Sequence, residues 1–175
     1  MSSAIKKVKC DCKNDKEKDC MKCEPKHPIP KDILFECSPS SGSKTFSRPD
    51  QSFTAACVTL DTTCICDPKV KIEFSSVVTL NIDTTSRVEV RLKFELFKVC
   101  DDRPELLCGT WVYEKILPGP VAEFLLNTTD SFSFIFCECQ TCPGCCQYFV
   151  RVTADSLNDI LIARVSDGSI VAIAV

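Results

Sequence analysis

The 175-residue sequence contains a single histidine. His27 lies between a lysine and a proline, in a stretch rich in charged residues and proline, which is typical of an exposed position. Because the rest of the chain has no histidine, Cys–His and Ser–His–Asp catalytic arrangements are excluded. We therefore expect no catalytic residues, no enzymatic activity, no cofactor and no small-molecule substrate.

Long apolar runs are also missing. No stretch approaches the roughly 18 to 20 apolar residues of a membrane helix. The N-terminal sequence has lysines but lacks the apolar segment of a signal peptide. We therefore expect synthesis in the cytoplasm and no membrane partner. The net charge of -3 lacks the basic excess of a nucleic-acid-binding protein, so we expect no nucleic-acid partner.

Cysteine is abundant. Fifteen cysteines in 175 residues lie close to the level of roughly 8 to 10% that indicates a disulfide scaffold. Disulfides require an oxidising compartment, which conflicts with the missing signal peptide. Two explanations remain. Either the thiols stay reduced and bind metal, or the protein meets oxidising conditions when the producing cell lyses.

The first 31 residues differ from the rest of the chain. They contain nine lysines interleaved with acidic residues, and their prolines favour an extended connector over a helix. We predict an extended N-terminal arm (1–31) joined to a folded body (32–175). The arm contains four cysteines: Cys10, Cys12, Cys20 and Cys23.

The body has the two-residue period of β-strands. In residues 88–97, VEVRLKFELF, apolar and charged side chains alternate, which indicates a strand with one buried face. Strands are predicted at 33–37, 53–60, 69–74, 88–97, 110–116, 131–139, 146–153, 159–165 and 169–175. We expect an all-β, antiparallel β-sandwich of jelly-roll type. The predicted core contains Val88, Val90, Leu92, Phe94, Leu96, Phe132, Phe134 and Phe136, with Trp111 or Tyr113 nearby.

The C-terminal sequence predicts two short strands joined by a hairpin turn at Asp167-Gly168. The last six residues, IVAIAV, carry no polar side chain. Such a strand either lies inside a sheet or forms an edge that another subunit covers. We take it as a candidate covered edge. Deletion of residues 170–175 is then expected to abolish assembly or folding.

Two cysteine pairs have the spacing of metal ligands or redox centres. Cys20/Cys23 and Cys142/Cys145 are both C-x-x-C pairs, but they lie about 120 residues apart, so the indication of a zinc site is weak. A redox-active C-x-x-C pair needs a helix after its first thiol, whereas Cys146 and the residues after it have a strand pattern. We expect no metal ligands and no redox centre.

The sequence contains three C-x-C pairs: Cys10/Cys12, Cys64/Cys66 and Cys137/Cys139. In a strand, the two thiols of each pair would lie on the same side. An odd number of cysteines leaves at least one thiol free or bonded outside its own chain. About 20 extended arm residues span up to roughly 65 to 70 Å, so arm cysteines can reach a neighbouring copy. We expect the arm cysteines, above all Cys10 and Cys12, to form intermolecular disulfides. The expected acceptors or internal partners are Cys64, Cys66, Cys137, Cys139, Cys142, Cys145 and Cys146.

Three segments carry a resemblance: CVTLDTTCICDPKVKIEFSS (57–76), VRLKFELFKVC (90–100) and DSFSFIFCECQTCPGCC (130–146). They resemble an uncharacterised Cys-rich domain family of anaerobic spore-forming bacteria. The arm-and-body layout is similar to that of bacterial endospore appendage subunits. Those subunits stack into fibres, and their connector cysteines bond to subunits further along. The cysteines of this arm are spaced as C-x-C and C-x-x-C instead of being adjacent.

The resemblance implies a structural subunit that assembles with itself. The expected product is a disulfide-cross-linked extracellular fibre on a spore or cell surface, reached after lysis of the producing cell. Its expected partner is a second copy of the chain, contacted through the arm and through strand edges in a heterologous manner. The alternative is a cytoplasmic thiolate metal-binding protein that holds zinc.

Overall fold

The computed structural model describes residues 33–63, 65, 68–83, 87–100, 103–117, 125–139, 144–158 and 160–175. The predicted arm (1–31) lies outside the described residues. Within the described ranges every regular element is a β-strand, so the all-β prediction is confirmed. The strands are β1 Leu34–Ser38, β2 Lys44–Phe46, β3 Ser52–Asp61, β4 Val70–Asp83, β5 Val88–Cys100, β6 Leu106–Leu117, β7 Leu125–Glu138, β8 Cys145–Asn158 and β9 Ile160–Ala174.

The strands form two antiparallel sheets that pack face to face. Sheet A has the order β1-β9-β4-β7, with β2 also paired to β9, and sheet B has the order β3-β8-β5-β6. With β1 and β2 taken as two pieces of one strand, this is the interleaved eight-strand order of a jelly roll. The predicted β-sandwich is therefore confirmed. The sequence did not predict β2, which is only three residues long.

The core lies between the sheets and follows the predicted alternation. The five β5 residues predicted to lie in the core are at most 1% exposed, and Phe134 on β7 is also buried. Phe132 and Phe136 are partly buried and pack against this core, because β7 is the last strand of sheet A. The five predicted β5 residues are Val88, Val90, Leu92, Phe94 and Leu96.

Aromatic side chains close the flank on which β6 and β7 lie. The ring of Trp111 stacks on Phe134 with centroids 3.8 Å apart, and Tyr113 meets Phe132 edge to face. A Cβ atom at Gly109 would lie 2.6 Å from the Trp111 ring, so glycine is needed for this close approach. The prediction that Trp111 or Tyr113 lies near the core is confirmed for both.

The predicted hairpin at Asp167-Gly168 is wrong. Residues 160–174 form one strand, and the register against β4 shifts between the pairs Ser75↔Ser169 and Val77↔Ser166. Two residues of β9 thus oppose one of β4, which is a β-bulge. Asp167 adopts a φ of 53°, and a Cβ at Gly168 would lie 2.7 Å from a β3 carbonyl oxygen. Asp167 and Gly168 therefore form a β-bulge in β9, at which Gly168 lies close to the β3 backbone, and they do not form a turn.

The C-terminal strand is also not an edge. β9 pairs with β4 on one side and with β1 and β2 on the other. Ile170, Ala172 and Ala174 have no exposed surface. The apolar sequence IVAIAV is explained by burial inside sheet A, so the prediction of a covered edge at these residues is wrong. The edges of the described sheets are β1 with β2, β3, β6 and β7.

Candidate functional site

Eight cysteines belong to the described residues, and all of them lie in the half of the sandwich towards one end. This cysteine end is where β7 stops at Glu138, β8 begins at Cys145 and β5 stops at Cys100. β1 begins at the same end, because both Leu34 and Val70 pair with Ala174 in sheet A. The first described residue of the body, Ile33, therefore emerges beside the cysteines.

One disulfide joins neighbouring strands inside the sandwich. Cys100 on β5 and Cys146 on β8 are directly opposite in the register of sheet B, with Cα atoms 4.0 Å apart and a bonded sulfur pair. Cys146 is buried in the core cluster, and Cys100 packs against it. Both cysteines occupy inward positions of their strands, in line with the buried residues Leu96 and Tyr148. This disulfide staples the body from within.

A partly buried ion pair between Lys98 and Glu138 lies near this disulfide and links the two sheets. Lys98 Nζ of sheet B donates to both carboxylate oxygens of Glu138 in sheet A at 2.9 Å. The Tyr148 hydroxyl donates to the same carboxylate at 3.0 Å. Burial, and then the negative charge of Glu138, raise the pKa of Tyr148 above its usual range. Tyr148 therefore stays neutral and acts as a hydrogen-bond donor.

Cys108 is a half-buried thiol close to this ion pair. Burial, followed by the charge of Glu138, raises the pKa of Cys108 to about 11. Because the thiolate is the nucleophile in disulfide chemistry, a thiol that remains protonated at neutral pH reacts slowly. Cys108 is therefore a poor candidate for cross-linking.

Four other cysteines are exposed and make no disulfide within the described residues: Cys37, Cys137, Cys139 and Cys145. Cys137 and Cys37 lie on the outer face of sheet A, on its two edge strands. Cys137 is opposite Lys71, and Cys37 is opposite Val171. Exposed thiols without a partner are accessible to other molecules, in contrast to the buried disulfide.

Apolar side chains surround the thiols on the outer face of sheet A. Phe35 is 61% exposed and Ile135 is 60% exposed. The register places Phe35, Ile173, Lys71 and Cys137 in one row across the sheet, and Cys37, Val171, Glu73 and Ile135 in the next. Lys71 in the first row and Glu73 in the second form an ion pair of 2.5 Å. The outer face of sheet A therefore combines exposed apolar side chains with two exposed thiols, those of Cys37 and Cys137.

The outer face of sheet B carries a different aromatic cluster. Phe97 and Phe149 stack with centroids 5.4 Å apart, and the guanidinium of Arg151 lies 4.5 Å from the centre of the Phe97 ring. Arg151 also forms an ion pair with Glu105, in which Nη2 of the arginine lies 3.2 Å from Oε2 of the carboxylate. Cys57 is opposite Phe149 in the register and is partly buried. The cluster leaves Cys57 less accessible than Cys37 and Cys137 of sheet A, whereas Cys145 at the start of β8 is exposed.

The sequence profile of a domain of unknown function (DUF4489) matches residues 32–175. The chain belongs to this family. The prediction of an uncharacterised domain family is thereby confirmed, and the match spans the segment that we assigned to the body. A search of curated proteins finds no match.

The DUF4489 domain is also similar to two solved virus structures. Chains of the infectious bursal disease virus Gx and Gt strains give TM-scores of 0.45 and 0.46 at 8% and 9% identity. The matches cover 82% and 89% of the DUF4489 chain, which spans only 32% and 37% of the viral chains.

The predicted site residues of the DUF4489 chain fall into three groups. Cys137, Cys139 and Cys145 are exposed thiols, whereas Cys146 forms the internal disulfide. Seven predicted residues lie outside the described ranges: Cys10, Cys12, Cys20, Cys23, Cys64, Cys66 and Cys142.

Four described cysteines were not predicted as site residues: Cys37, Cys57, Cys100 and Cys108. Strand parity could have found two of them. Cys100 lies an even number of residues after Leu96 and therefore shares its inward side on β5, and Cys37 lies on the same side of β1 as Phe35.

Among the described residues no group of three or more His, Cys, Asp or Glu side chains could hold a metal ion. The described part of the chain has no helix long and apolar enough to cross a membrane.

Proposed function

We propose that this protein is a structural subunit that assembles with copies of itself into a fibre cross-linked by interchain disulfides. The observation that carries the proposal is the division of the cysteines. One pair forms a disulfide inside the body, while four thiols are exposed on the surface of the sandwich. Because the core does not use these four thiols, they are available for bonds to other chains.

Strand edges supply the non-covalent contact in this proposal. In sheet B, the β6 edge lies on one flank of the sandwich and the β3 edge lies on the other. Edge strands carry unpaired backbone groups that pair readily with a further strand. A contact between different flanks of successive copies is heterologous, and it produces an open-ended filament when the rotation does not close.

The resemblance to endospore appendage subunits supplies the setting of the proposal. The protein is made in the cytoplasm of a sporulating cell and becomes extracellular on the spore surface after lysis, where oxidation closes the interchain bonds. The arm is the tether, through Cys10 and Cys12. In this proposal the protein has no enzymatic activity and binds no nucleic acid, membrane, cofactor or small-molecule substrate.

The test compares the purified, air-oxidised full chain on denaturing gels with and without reductant, and by negative-stain electron microscopy. We expect filaments and a ladder of multimers that collapses to monomer when reductant is added. Serine replacement of Cys37, Cys137, Cys139 and Cys145 together should abolish the ladder. The matched control, Cys57→Ser with Cys108→Ser, should retain it, because these two thiols are partly buried.

Two results would contradict the proposal. One is a monomer under both gel conditions. The other is stoichiometric zinc, measured by inductively coupled plasma mass spectrometry, on a protein that never forms filaments. The second result would favour the thiolate metal-binding alternative.

A further inference from the structure

β7 has a long open edge. It pairs with β4 in unbroken register along its whole length, from Val70↔Glu138 to Asp83↔Leu125, and with no other described strand. The opposite edge of sheet A is divided between β1 of five residues and β2 of three residues. Short, interrupted edge strands resist further pairing, whereas a long straight edge invites it. Sheet A is therefore protected on one side and open on the other.

Cys137 lies at the cysteine end of this open edge. Its side chain is on the outer face, opposite Lys71, and it is exposed and makes no disulfide within the described residues. A strand that added to β7 would place one of its own side chains directly beside Cys137, with Cβ atoms roughly 4.5 to 5.5 Å apart. That separation allows a disulfide with small adjustment.

The arm contains a segment that suits this edge. Residues 5–12, IKKVKCDC, include two β-branched residues, and Val8, Cys10 and Cys12 alternate with charged residues. In an extended strand both cysteines would lie on one side. Residues 1–31 carry nine lysines and five acidic residues, a net charge of +4, which leaves -7 on the rest of the -3 chain. This complementarity favours contact between an arm and a body.

We propose that residues 5–12 of one copy add as a strand, parallel to β7, to the open edge of β7 in a second copy, where Cys10 or Cys12 forms a disulfide with Cys137. The inference rests on the proposed function and names its covalent site. Two thiols lose two electrons and two protons, dioxygen accepts them, and hydrogen peroxide is released. The docked arm both covers the edge and holds the thiols together, so cross-linking follows docking.

The geometry of the chain permits this link. The 21 residues from Cys12 to Ile33 span up to about 70 Å when extended, which exceeds the roughly 50 Å length of a 15-residue strand. The protein also provides an internal precedent, because Cys100 and Cys146 are directly opposed on neighbouring strands and are bonded.

The first test maps the disulfide and its chains. Full-length protein is prepared with ¹⁴N and with ¹⁵N, the two are mixed in reduced form and air-oxidised, and non-reduced peptides are analysed by mass spectrometry. We expect peptides that join Cys10 or Cys12 to Cys137, with about half containing one light and one heavy partner. Cys137→Ser should remove these peptides and the multimer ladder, whereas Cys37→Ser should retain both.

The second test addresses strand addition. Ser133 on β7 and Ser169 on β9 are exposed and both lie opposite Ser75, in one row of the same face. A lysine at an edge position repels the basic arm and disfavours pairing. Ser133→Lys should reduce the yield of the Cys137 peptides several-fold, whereas Ser169→Lys, inside the sheet, should leave the yield unchanged.

Three results would overturn the inference while leaving self-assembly intact. They are multimers whose arm cysteines bond elsewhere, Cys137 peptides that are only light–light or heavy–heavy, and equal yields from the two lysine variants. The second would show that the arm bonds within its own chain. A wild-type chain that forms no multimers on oxidation would instead refute the proposed function together with this inference.

Discussion

Removal of the Cys100–Cys146 disulfide should weaken the body by about 4 kcal/mol. The two cysteines are separated by 46 residues, and the chain-entropy relation for a loop of that size gives roughly 13 to 14 cal/mol/K, or about 4 kcal/mol at 25 °C. β5 and β8 remain paired without the bond, because their register extends from Glu89↔Asn158 to Cys100↔Cys146. The stability is therefore lost mainly because the unfolded chain gains conformational entropy when the bond is removed.

The measurement is a urea titration of the C100A/C146A variant under non-oxidising conditions, against disulfide-bonded wild type. The chain has one tryptophan, and its stacking on Phe134 makes its fluorescence a reporter of the folded sandwich. With a slope of about 2 kcal/mol/M, the midpoint should fall by about 2 M. The control C37A/C139A removes two exposed thiols and should change the midpoint by less than about 0.3 M. Equal midpoints for wild type and C100A/C146A would refute the assignment of this bond as the internal staple.

Three further predictions concern packing and charge. A Cβ at Gly168 would lie 2.7 Å from a backbone oxygen of β3, so Gly168→Ala should cost about 1 to 3 kcal/mol and lower the melting temperature. Glu138→Gln removes the charged acceptor of Lys98 and should cost about 1 to 3 kcal/mol in the same melt, with no effect expected if the pair were solvent-separated. A hydrogen bond from Lys115 holds the pKa of Asp130 below its ordinary 3.8. The folded state therefore loses stability as the pH falls below 3.8 and Asp130 becomes protonated. In the Asp130→Asn variant, the melting temperature should depend less on pH in this acidic range.

Alternation along single strands was the strongest signal in the sequence. Residues 88–97 predicted both a strand and its buried side, and all five inward residues are buried. The same alternation overestimated the burial of Phe132 and Phe136. It shows which side of a strand faces inward, but not whether the strand lies at the edge of its sheet. That information depends on long-range pairing, which the sequence pattern of one strand does not contain.

The errors at the C-terminus have a local cause. Asp-Gly supplies left-handed and permissive backbone conformations, which serve a hairpin turn and a β-bulge equally well. The choice between them was made by β4, which pairs with residues on both sides of Gly168. Once those residues form a single strand, IVAIAV moves from the end of a hairpin into the interior of sheet A.

The cysteines were predictable as a class but not as pairs. C-x-C spacing and the odd total indicated thiols in excess of local needs, and Cys137, Cys139 and Cys145 are indeed exposed without a disulfide in the described residues. The partner of Cys146 required knowledge that β5 and β8 are neighbours, which 46 intervening residues conceal. Cys37 was overlooked because no second cysteine lies near it in sequence.

The cysteine end gives the sandwich a polarity. All described cysteines lie in the half of the sandwich towards that end, and the opposite half, which contains Asp50, Asp155 and Asn127, has no thiol among its described residues. In a fibre built by the proposed flank-to-flank contacts, the cysteine ends would therefore lie along the side of the fibre and not at its tips. Thiols that remain unbonded should then be marked by thiol-reactive gold particles along the length of the fibre.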